Sequence, residues 1–375
     1  MLLAVIGPRF SGKKEIRNYY VSVHGFVSVH ILNQQLAPSA PDDQFKVIGA
    51  RSPSPVGNDE VSSPQAVVTT PPIPCQSEIP TGQALNFSTA AALLRYVTVN
   101  WRQNFVTTDL CTRTLVGLFV RRPFFMLLSV EAPLTTRFLR SGEKSLEKFV
   151  QEDDRATFGV EISDSTIISD SPQQDPSCLL NLRDMVNAHV INSFTTLRGL
   201  HEHLASLDLM NPEHLRPGWD AYFMTLASLA SQRSNCMKRR VGAVLVRENR
   251  VVSTGYNGTP RGLPNCNEGG CSTCNGTALT PETRIECVCL HAEENALLEA
   301  GRERVGTNAV LYCNTCPCLK CTIKIIQTGV KAVVYNLAYK VDDMSASLFH
   351  EAGVELRRYN PQKEFRWFPG DHVST

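Results

Sequence analysis

Four residues in the second half of the chain combine side-chain types that metal-assisted hydrolysis requires. His291 and Glu293 lie two residues apart in "LHAEENA", and Cys318 and Cys321 lie three apart in "TCPCLKC". Two thiolates and an imidazole can hold zinc tetrahedrally while the fourth position stays open to water, which is the arrangement of a catalytic site. We therefore predict a catalytic zinc centre at these positions, with Glu293 beside the metal and not bound to it.

The order H-x-E followed by P-C-x-x-C is the signature of zinc-dependent nucleobase deaminases. Zinc lowers the pKa of a bound water, so that zinc-bound hydroxide forms near neutral pH. Glu293 would take the proton of this water and pass it to the ring nitrogen, while hydroxide attacks the amino-bearing carbon and ammonia leaves. The alternative is a closed structural site in which Cys316 is the fourth ligand and Glu293 has no chemical role.

Regular elements are predicted on both sides of these residues. Helices should begin at His291 and at Cys318 and end at Gly301 and Gly329. The apolar runs "NAVLYC" and "VKAVVYNLA" are typical of strands, and "VGAVLVRE" with "RVVSTGYN" predicts a hairpin that turns near Glu248. Together they predict one mixed sheet flanked by helices.

A further helix is predicted in front of the hairpin, in "WDAYFMTLASLASQRS". Its apolar residues Tyr222, Leu226, Leu229 and Ala230 recur at helical spacing, and we expect them to form its buried face.

Basic residues dominate the segment from Arg233 to Arg261, where seven Lys or Arg side chains accompany one acidic residue, Glu248. This favours a phosphate-bearing ligand, with a solvated basic face as the alternative. A polynucleotide binder more often has a wide basic surface with aromatic residues for stacking, which the sequence lacks. We expect a mononucleotide substrate and neither nucleic acid nor membrane as partner.

The segments "SNCMKRRVGAVLVRENRVVSTGYNGTPRG", "CLHAEENALLEAGRERVG" and "LYCNTCPCLKCTIKIIQTGVKAVVY" resemble the zinc-dependent cytidine/deoxycytidylate deaminase family, in the fungal form of its deoxycytidylate branch. The resemblance covers about 216–359. It implies a cytidine-deaminase-like α/β/α sandwich over 217–360 that converts dCMP to dUMP and ammonia. It also implies zinc on His291, Cys318 and Cys321, with Glu293 as proton shuttle.

The same resemblance implies roles for two further residues and for regulation. Asn257 would contact the sugar and Tyr339 would lie at the nucleotide site, although Asn257 could equally be a turn residue and Tyr339 a half-buried aromatic at a strand end. Members of the family are typically hexamers that dCTP activates and dTTP inhibits, in supply of dUMP for thymidylate synthesis. A tRNA base deaminase of the same superfamily remains the closest alternative.

Ten of the 13 cysteines lie between Cys236 and Cys321, a clustering that favours metal ligation. By the resemblance, Cys236 and Cys266 lie where some members bind a second, structural zinc. We hypothesise a closed zinc site made of Cys236, Cys266, Cys271 and Cys274, with Cys287 or Cys289 as substitutes. Reduced thiols in an irregular loop are the alternative.

The first half of the chain begins with a different motif, "MLLAVIGPRFSGKKEI". Gly7, Gly12 and Lys13 match the phosphate-loop pattern, but its last position should carry a magnesium-binding hydroxyl and is Lys14. The motif resembles a nucleotide kinase, so we predict a degenerate P-loop kinase-like α/β domain with a parallel sheet over 1–210. An active kinase, a nucleotide-binding or assembly module and a structural relic remain open.

Two further stretches complete the organisation of this half. The Pro- and Ser-rich stretch 36–82 predicts a disordered insertion. The segment "LLNLRDMVNAHVINSFTTLRGLHEHLASL" predicts one or two closing helices.

Composition limits the function classes that remain. A chain of 375 residues allows two domains, and a net charge of +1 excludes a global field for anionic partners. The apolar start lacks a basic region and meets Gly7 after six residues, so we expect neither a signal peptide nor a membrane span. The predicted location is the cytoplasm, with the nucleus as a further option.

Overall fold

The computed structural model describes residues 1–32, 84–159, 178–276, 287–338 and 343–360 of the chain. The insertion predicted over 36–82 lies outside these residues. Contacts between residues divide the chain into two units between Leu209 and Met210, and each unit is described by itself. Among the helices in the described ranges, none is long and apolar enough to cross a membrane.

The first unit is built on six parallel strands. They are β1 (Leu2–Ile6), β2 (Val27–Ile31), β3 (Leu85–Phe87), β4 (Phe105–Thr107), β5 (Phe125–Glu131) and β6 (Ala188–Ile191). Their order in the sheet is β3-β2-β4-β1-β5-β6, and every pairing is parallel. The central strand β1 is buried along its whole length, as expected for a parallel strand covered on both faces.

Six helices accompany this sheet in the described part of the first unit. They are α1 (Lys13–His24), α2 (Ala90–Val99), α3 (Arg113–Phe119), α4 (Leu134–Ser141), α5 (Leu146–Phe158) and α6 (Leu197–Leu207), with a 3₁₀ turn at Leu179–Met185. Thr89, Thr112, Ser145 and Thr196 cap α2, α3, α5 and α6, because each side-chain oxygen accepts a hydrogen bond from a backbone N–H in the first turn. The segment predicted as closing helices contains β6 as well as α6, so that prediction missed a strand.

The second unit contains a five-stranded mixed sheet. Its strands are β7 (Gly242–Arg247), β8 (Arg250–Tyr256), β9 (Ala309–Thr315), β10 (Ala332–Leu337) and β11 (Glu355–Arg358). The order is β11-β10-β9-β7-β8; β7 is antiparallel to β8 and β9, while β9, β10 and β11 are mutually parallel. Glu248 and Asn249 both have positive φ, which is the backbone of a tight two-residue hairpin.

Helices cover both faces of this sheet, which confirms the predicted mixed α/β class. They are α7 (Trp219–Ser231), α8 (Ser272–Asn275), α9 (Ala292–Val305), α10 (Leu319–Thr328) and α11 (Asp343–Glu351), with 3₁₀ turns at Pro212–His214 and Cys266–Glu268. Ala243 and Leu245 of β7 share a core with α9, α10 and α11. Val244 and Val246 share a second core with α7 on the opposite face.

Two glycines allow the helices to approach the hairpin closely. A Cβ on Gly242 would lie 2.0 Å from the Ala227 carbonyl oxygen of α7, and one on Gly255 would lie 2.1 Å from the Ala292 carbonyl oxygen of α9. Only glycine fits at such distances, so the hairpin fixes where α9 begins. The predicted interruption of this helix at Gly301 is confirmed, because Gly301 has a non-helical backbone with φ 67° and ψ 154°, and a second helical stretch then follows to Val305.

The buried face of α7 differs from the one that the spacing of apolar residues predicts. The helix buries Ala221, Phe223, Met224, Ala227 and Ser231, whereas Leu229 is 62% exposed and Tyr222 is exposed as well. Close contact with Gly242 needs small residues, and Ala227 and Ser231 supply them. Tyr222 and Leu229 therefore lie on the exposed side of the helix, whereas Phe223 and Met224 pack against the sheet.

Candidate active site

His291 stands at the start of α9, where it is the N-cap residue. The residue before it, Leu290, forms an isolated antiparallel bridge with Gly258, so the chain enters the helix from a fixed direction. The His291 backbone N–H donates to the Glu294 carboxylate at 2.8 Å. These two contacts fix the backbone from which the imidazole projects.

Cys318 and Cys321 occupy the start of α10, which follows β9 across a short connection. Cys318 is the N-cap residue and Cys321 is buried in the first turn. The His291 Nδ1 atom lies 3.4 Å from the Cys318 sulfur and 3.3 Å from the Cys321 sulfur. The structure thus brings together the three predicted ligands, whose donor atoms all lie within 4.8 Å of one another.

The donor set fits zinc. Two cysteine sulfurs and one imidazole nitrogen are the ligand types of three-coordinate protein zinc sites that keep one position open. Cys316, the fourth ligand of the closed alternative, does not belong to this set within the described residues. Helix N-termini also stabilise negative charge, which favours thiolates at Cys318 and Cys321.

Hydrogen bonds among the three ligands distribute their protons unequally. The hydrogen bond from the Cys321 thiol lowers the pKa of Cys318 to about 3, and the bond from His291 adds to this effect. The pKa of Cys321 is raised, first by the same bond and then by burial. The bond to Cys318 raises the pKa of His291. Cys318 is therefore a thiolate that the other two groups stabilise.

Glu293 is the second residue of α9 and is only 3% exposed. Burial raises the pKa of its carboxyl, while its own backbone N–H, the nearby His291 and the Cys321 thiol act in the opposite direction. Glu293 is not in the ligand set. A buried carboxyl beside a metal site, with its pKa moved toward neutrality, is suited to accept and return a proton.

Glu294 and Lys324 form a brace that the sequence analysis did not identify. Glu294 accepts from the His291 backbone through one oxygen and pairs with Lys324 of α10 through the other. Lys324 lies one turn beyond Cys321, so the pair joins the two helix starts that carry the ligands. The glutamate three residues after an N-cap position is a capping-box signal that could have revealed it.

Asn257 lies directly after β8, and both ends of its side-chain amide form hydrogen bonds with the backbone. Its amide oxygen accepts from the Val241 N–H at 2.8 Å, and its amide nitrogen donates to the Arg239 carbonyl at 2.8 Å. The Ser234 hydroxyl donates to its backbone carbonyl. One N–H and one oxygen lone pair of the amide remain for a ligand. Tyr339 lies outside the described residues.

The basic residues of the hairpin region separate into two groups. Lys238, Arg239 and Arg240 are exposed and precede β7 beside Asn257. Arg247 and Arg250 flank the hairpin turn at the other end of the same strands. Of these two groups, the first is linked to Asn257 through the Arg239 carbonyl.

Six further cysteines form a separate cluster in the second unit. Two four-cysteine sets have sulfurs within 4.8 Å of one another: Cys236, Cys266, Cys274 and Cys289, and Cys271, Cys274, Cys287 and Cys289. The hypothesised quartet needs correction in one member, because Cys289 and not Cys271 completes the set with Cys236 and Cys266. Cys271 lies instead near Cys287, on the other side of Cys274.

Comparison with known proteins places these observations in context. The family model described as the cytidine and deoxycytidylate deaminase zinc-binding region matches residues 217–337. The deoxycytidylate deaminase of Schizosaccharomyces pombe is 49% identical over 275 residues, which are 72% of this chain and 81% of that protein. The deoxycytidylate deaminase of Saccharomyces cerevisiae is 42% identical, with 73% and 87% covered.

Among solved structures, the dCMP deaminase of cyanophage S-TIM5 in complex with dCMP and dUMP is 31% identical to this chain. It covers 37% of this chain and 94% of its own, with a TM-score of 0.30. The 275 residues matched in the Schizosaccharomyces pombe protein exceed the length of the second unit, Met210–Trp367, so that similarity also reaches into the first unit.

Proposed function

The chain belongs to the deoxycytidylate deaminase family, and we propose that its second unit hydrolyses dCMP to dUMP and ammonia. The observation that carries this proposal is the meeting of His291, Cys318 and Cys321 beside the buried carboxyl of Glu293. Two helix starts supply all four groups, so the site is held by the framework of the unit.

The family is zinc-binding, and His291, Cys318 and Cys321 are the residues that would hold the catalytic ion. Zinc in such a site lowers the pKa of a coordinated water and supplies hydroxide near neutral pH. The Glu294–Lys324 brace would keep the histidine and the two thiolates at fixed separation, which metal ligands require from their outer contacts.

Glu293 acts as the proton carrier. Its carboxylate accepts a proton from the attacking water and delivers it to the ring nitrogen next to the amino-bearing carbon. The same carboxyl then assists the departure of ammonia by a second transfer. Burial of Glu293 supports this role, because a raised pKa brings the carboxyl closer to the proton affinities of the groups that it serves.

Recognition of the nucleotide rests on groups around the end of β8. We assign Asn257 to the sugar through the amide N–H and lone pair that the backbone leaves available, and Tyr339 to the nucleotide site. The segment with the exposed side chains of Lys238, Arg239 and Arg240 adjoins Asn257, and we assign the 5′-phosphate to this basic segment. A requirement for phosphate would separate dCMP from cytidine and from bases held in RNA.

A deamination assay of wild type and Glu293→Gln tests the proposal on dCMP, dCTP, cytidine and guanine. Wild type should turn over dCMP, and Glu293→Gln should lose about 10²–10⁴-fold in rate with zinc still bound. Glu299→Gln, on the exposed side of the same helix, is the matched control and should be unchanged. Turnover preserved in Glu293→Gln contradicts the mechanism, and inosine formation in tRNA without dCMP turnover contradicts the substrate.

Regulation and assembly extend the proposal. By family resemblance, dCTP activates and dTTP inhibits a hexamer that supplies dUMP for thymidylate synthesis. Exposed apolar side chains on helices of the second unit support self-association: Trp219, Leu229, Leu298 and Ile323. Light scattering of the full chain with and without dCTP should give a mass of six chains, and a monomer under both conditions contradicts the assembly.

The first unit is proposed to be a degenerate P-loop domain that performs no phosphoryl transfer. The Lys13 ammonium, which would contact phosphate in a working loop, donates to the carbonyls of Gly7 and Pro8 at 2.6 and 2.7 Å. Lys14 is exposed and offers no magnesium ligand. Incubation with ATP, magnesium and dCMP should release no ADP, and any dCDP formed would restore the kinase alternative.

A further inference from the structure

The six-cysteine cluster draws its members from four separate segments of the second unit. Cys236 lies in the connection before β7, and Cys266 in a 3₁₀ turn. Cys271 and Cys274 lie at α8, while Cys287 and Cys289 lie in the irregular segment before His291. All six thiols are free of disulfides. Segments that are separate in the chain therefore bring six sulfurs into one cluster.

The sulfur separations match shared coordination to metal. A zinc–sulfur distance of about 2.3 Å in a tetrahedron places neighbouring sulfurs about 3.8 Å apart. The sulfur of Cys274 lies 3.7 Å from that of Cys236, 3.4 Å from that of Cys287 and 4.0 Å from that of Cys289. The Cys271 and Cys287 sulfurs are 3.6 Å apart.

The two four-cysteine sets overlap in two members, Cys274 and Cys289. A single zinc ion would use one set and leave two thiols of the other without a metal. Two ions use all six sulfurs, because a thiolate retains lone pairs for a second metal. We propose that the cluster binds two zinc ions bridged by Cys274 and Cys289, with Cys236 and Cys266 completing one tetrahedron and Cys271 and Cys287 the other.

Charge and hydrogen bonding are consistent with this arrangement. Six thiolates around two divalent ions leave a net charge of −2, the same as one zinc ion with four thiolates. Backbone N–H groups share this charge: that of Met237 donates to the Cys266 sulfur at 3.5 Å, and those of Lys238 and Arg239 donate to Cys236. Such donors are a usual outer contact of metal-bound thiolates.

The position of the cluster, next to His291 and Asn257, indicates a structural role. Cys289 is two residues from His291, and Leu290 between them pairs with Gly258 beside Asn257. Cys236 is held to Ser234, whose hydroxyl binds the Asn257 carbonyl. Each metal has four protein ligands and no open position, so the pair is structural. The metal pair cross-links the segments that contain His291 and Asn257.

Metal analysis of the full chain tests the cluster independently of deamination. Wild type purified with zinc should contain three zinc ions per chain, one in the three-ligand site and two in the cluster. Zinc X-ray absorption should contain a zinc–zinc scattering path that separate single-metal sites lack. Two zinc ions per chain without that path, or iron with acid-labile sulfide, overturns the proposal.

Variants separate bridging from terminal ligands. Cys274→Ser removes a bridge and should reduce the content to one zinc ion, whereas Cys287→Ser, at the exposed terminal position, should lose one ion and the zinc–zinc path. Cys178→Ser, a buried cysteine of the first unit outside every ligand set, should retain three. Full metal content in both cluster variants also overturns the proposal. If either variant fails to fold, the number of zinc ions per wild-type chain decides the question.

Discussion

The chain contains two places where a strand leads through a short connection into the start of a helix with a recognisable motif. In the first unit, the loop after β1 leads through Gly12 into α1. In the second unit, the connection after β9 leads through Cys318 into α10. Both helix starts favour anionic groups through their free N–H groups and dipoles. The two helix starts differ in whether the side chains around them are already hydrogen-bonded within their own unit.

In the first loop, the Lys13 ammonium and the Ser11 carbonyl are hydrogen-bonded within the unit, whereas the buried Ser11 hydroxyl has no hydrogen-bond partner among the described residues. Lys13 donates to loop carbonyls, and the Asn192 amide donates to the Ser11 carbonyl at 2.8 Å. In the second, His291, Cys318 and Cys321 direct three donor atoms to one point, which is the geometry of an incomplete coordination shell. The lysine of the first motif is therefore occupied by loop carbonyls, whereas the three donor atoms of the second site converge and could hold a metal ion.

The two units also differ in their buried charged side chains. A cavity of about 320 Å³ beside the first loop contains Arg137 and Asp153, which neutralise each other in a two-bonded ion pair. Glu293 of the second unit is buried beside the predicted metal ligands, and the pKa of its carboxyl is raised by that burial. The ion pair neutralises its own charges between α4 and α5, whereas Glu293 is the carboxyl that we propose for proton transfer.

Loss of one of the three predicted zinc ligands should have the largest effect on dCMP turnover. Cys321→Ser should lose the zinc of the catalytic site and reduce dCMP turnover by more than about 100-fold, which exceeds the usual cost of losing an outer contact. Cys316→Ser, in the same loop but outside the ligand set, is the matched control. Zinc content and initial rates measure both. Equal losses in Cys316→Ser would indicate a closed four-ligand site and remove the contrast between the two loops.

A change in the first loop should affect stability and leave dCMP turnover unchanged. In Gly12→Ala, the new Cβ would lie 2.4 Å from the Asn192 amide nitrogen, at a φ of 100° that strains any other residue. Displacing Asn192 breaks its bond to Ser11, so the free energy of unfolding should fall about 1 kcal/mol further than in Gly25→Ala. Gly25 has a φ of 68° and open space around it.

Denaturant melts and dCMP turnover of both glycine variants check this expectation. A large loss of turnover at temperatures where Gly12→Ala remains folded would show that the first loop takes part in deamination.

The smallest expected effect is on how the free energy of unfolding of the second unit depends on pH in acid. Asp220 of α7 accepts from Arg357 of β11 and from the Tyr312 hydroxyl of β9, and the bond with Arg357 lowers the pKa of its carboxyl. Its folded pKa lies below its unfolded value, so its stabilisation is present at neutral pH and is lost as pH falls through the folded pKa. Partial exposure limits this to at most about 1 kcal/mol.

Asp220→Asn should therefore lower the free energy of unfolding at neutral pH and make no difference in strong acid. The matched change in the first unit is Asp184→Asn, which breaks the more exposed pair with Arg113 and should cost less at neutral pH. Urea melts across the acid range measure both. A larger loss in Asp184→Asn would contradict the ranking of the two pairs by burial.

Sequence periodicity predicted most elements of the second unit but not their orientation. The hairpin, the helix starts and the strands β9 and β10 follow from local patterns of apolar residues, turn residues and glycine. The buried face of α7 does not, because close packing on Gly242 selects small residues over Leu229. In the first unit, β6 was missed because a four-residue strand lies between helical stretches.

The sequence by itself determined the family and predicted the ligand types and the proton carrier, because H-x-E and P-C-x-x-C are local spacings that any helix start preserves. Tertiary structure alone decided which sulfurs meet. His291 and Cys318 come together because α9 and α10 pack on one face of the sheet. Cys289 replaces Cys271 beside Cys266 because distances between segments depend on how loops cross, which no spacing along the chain records.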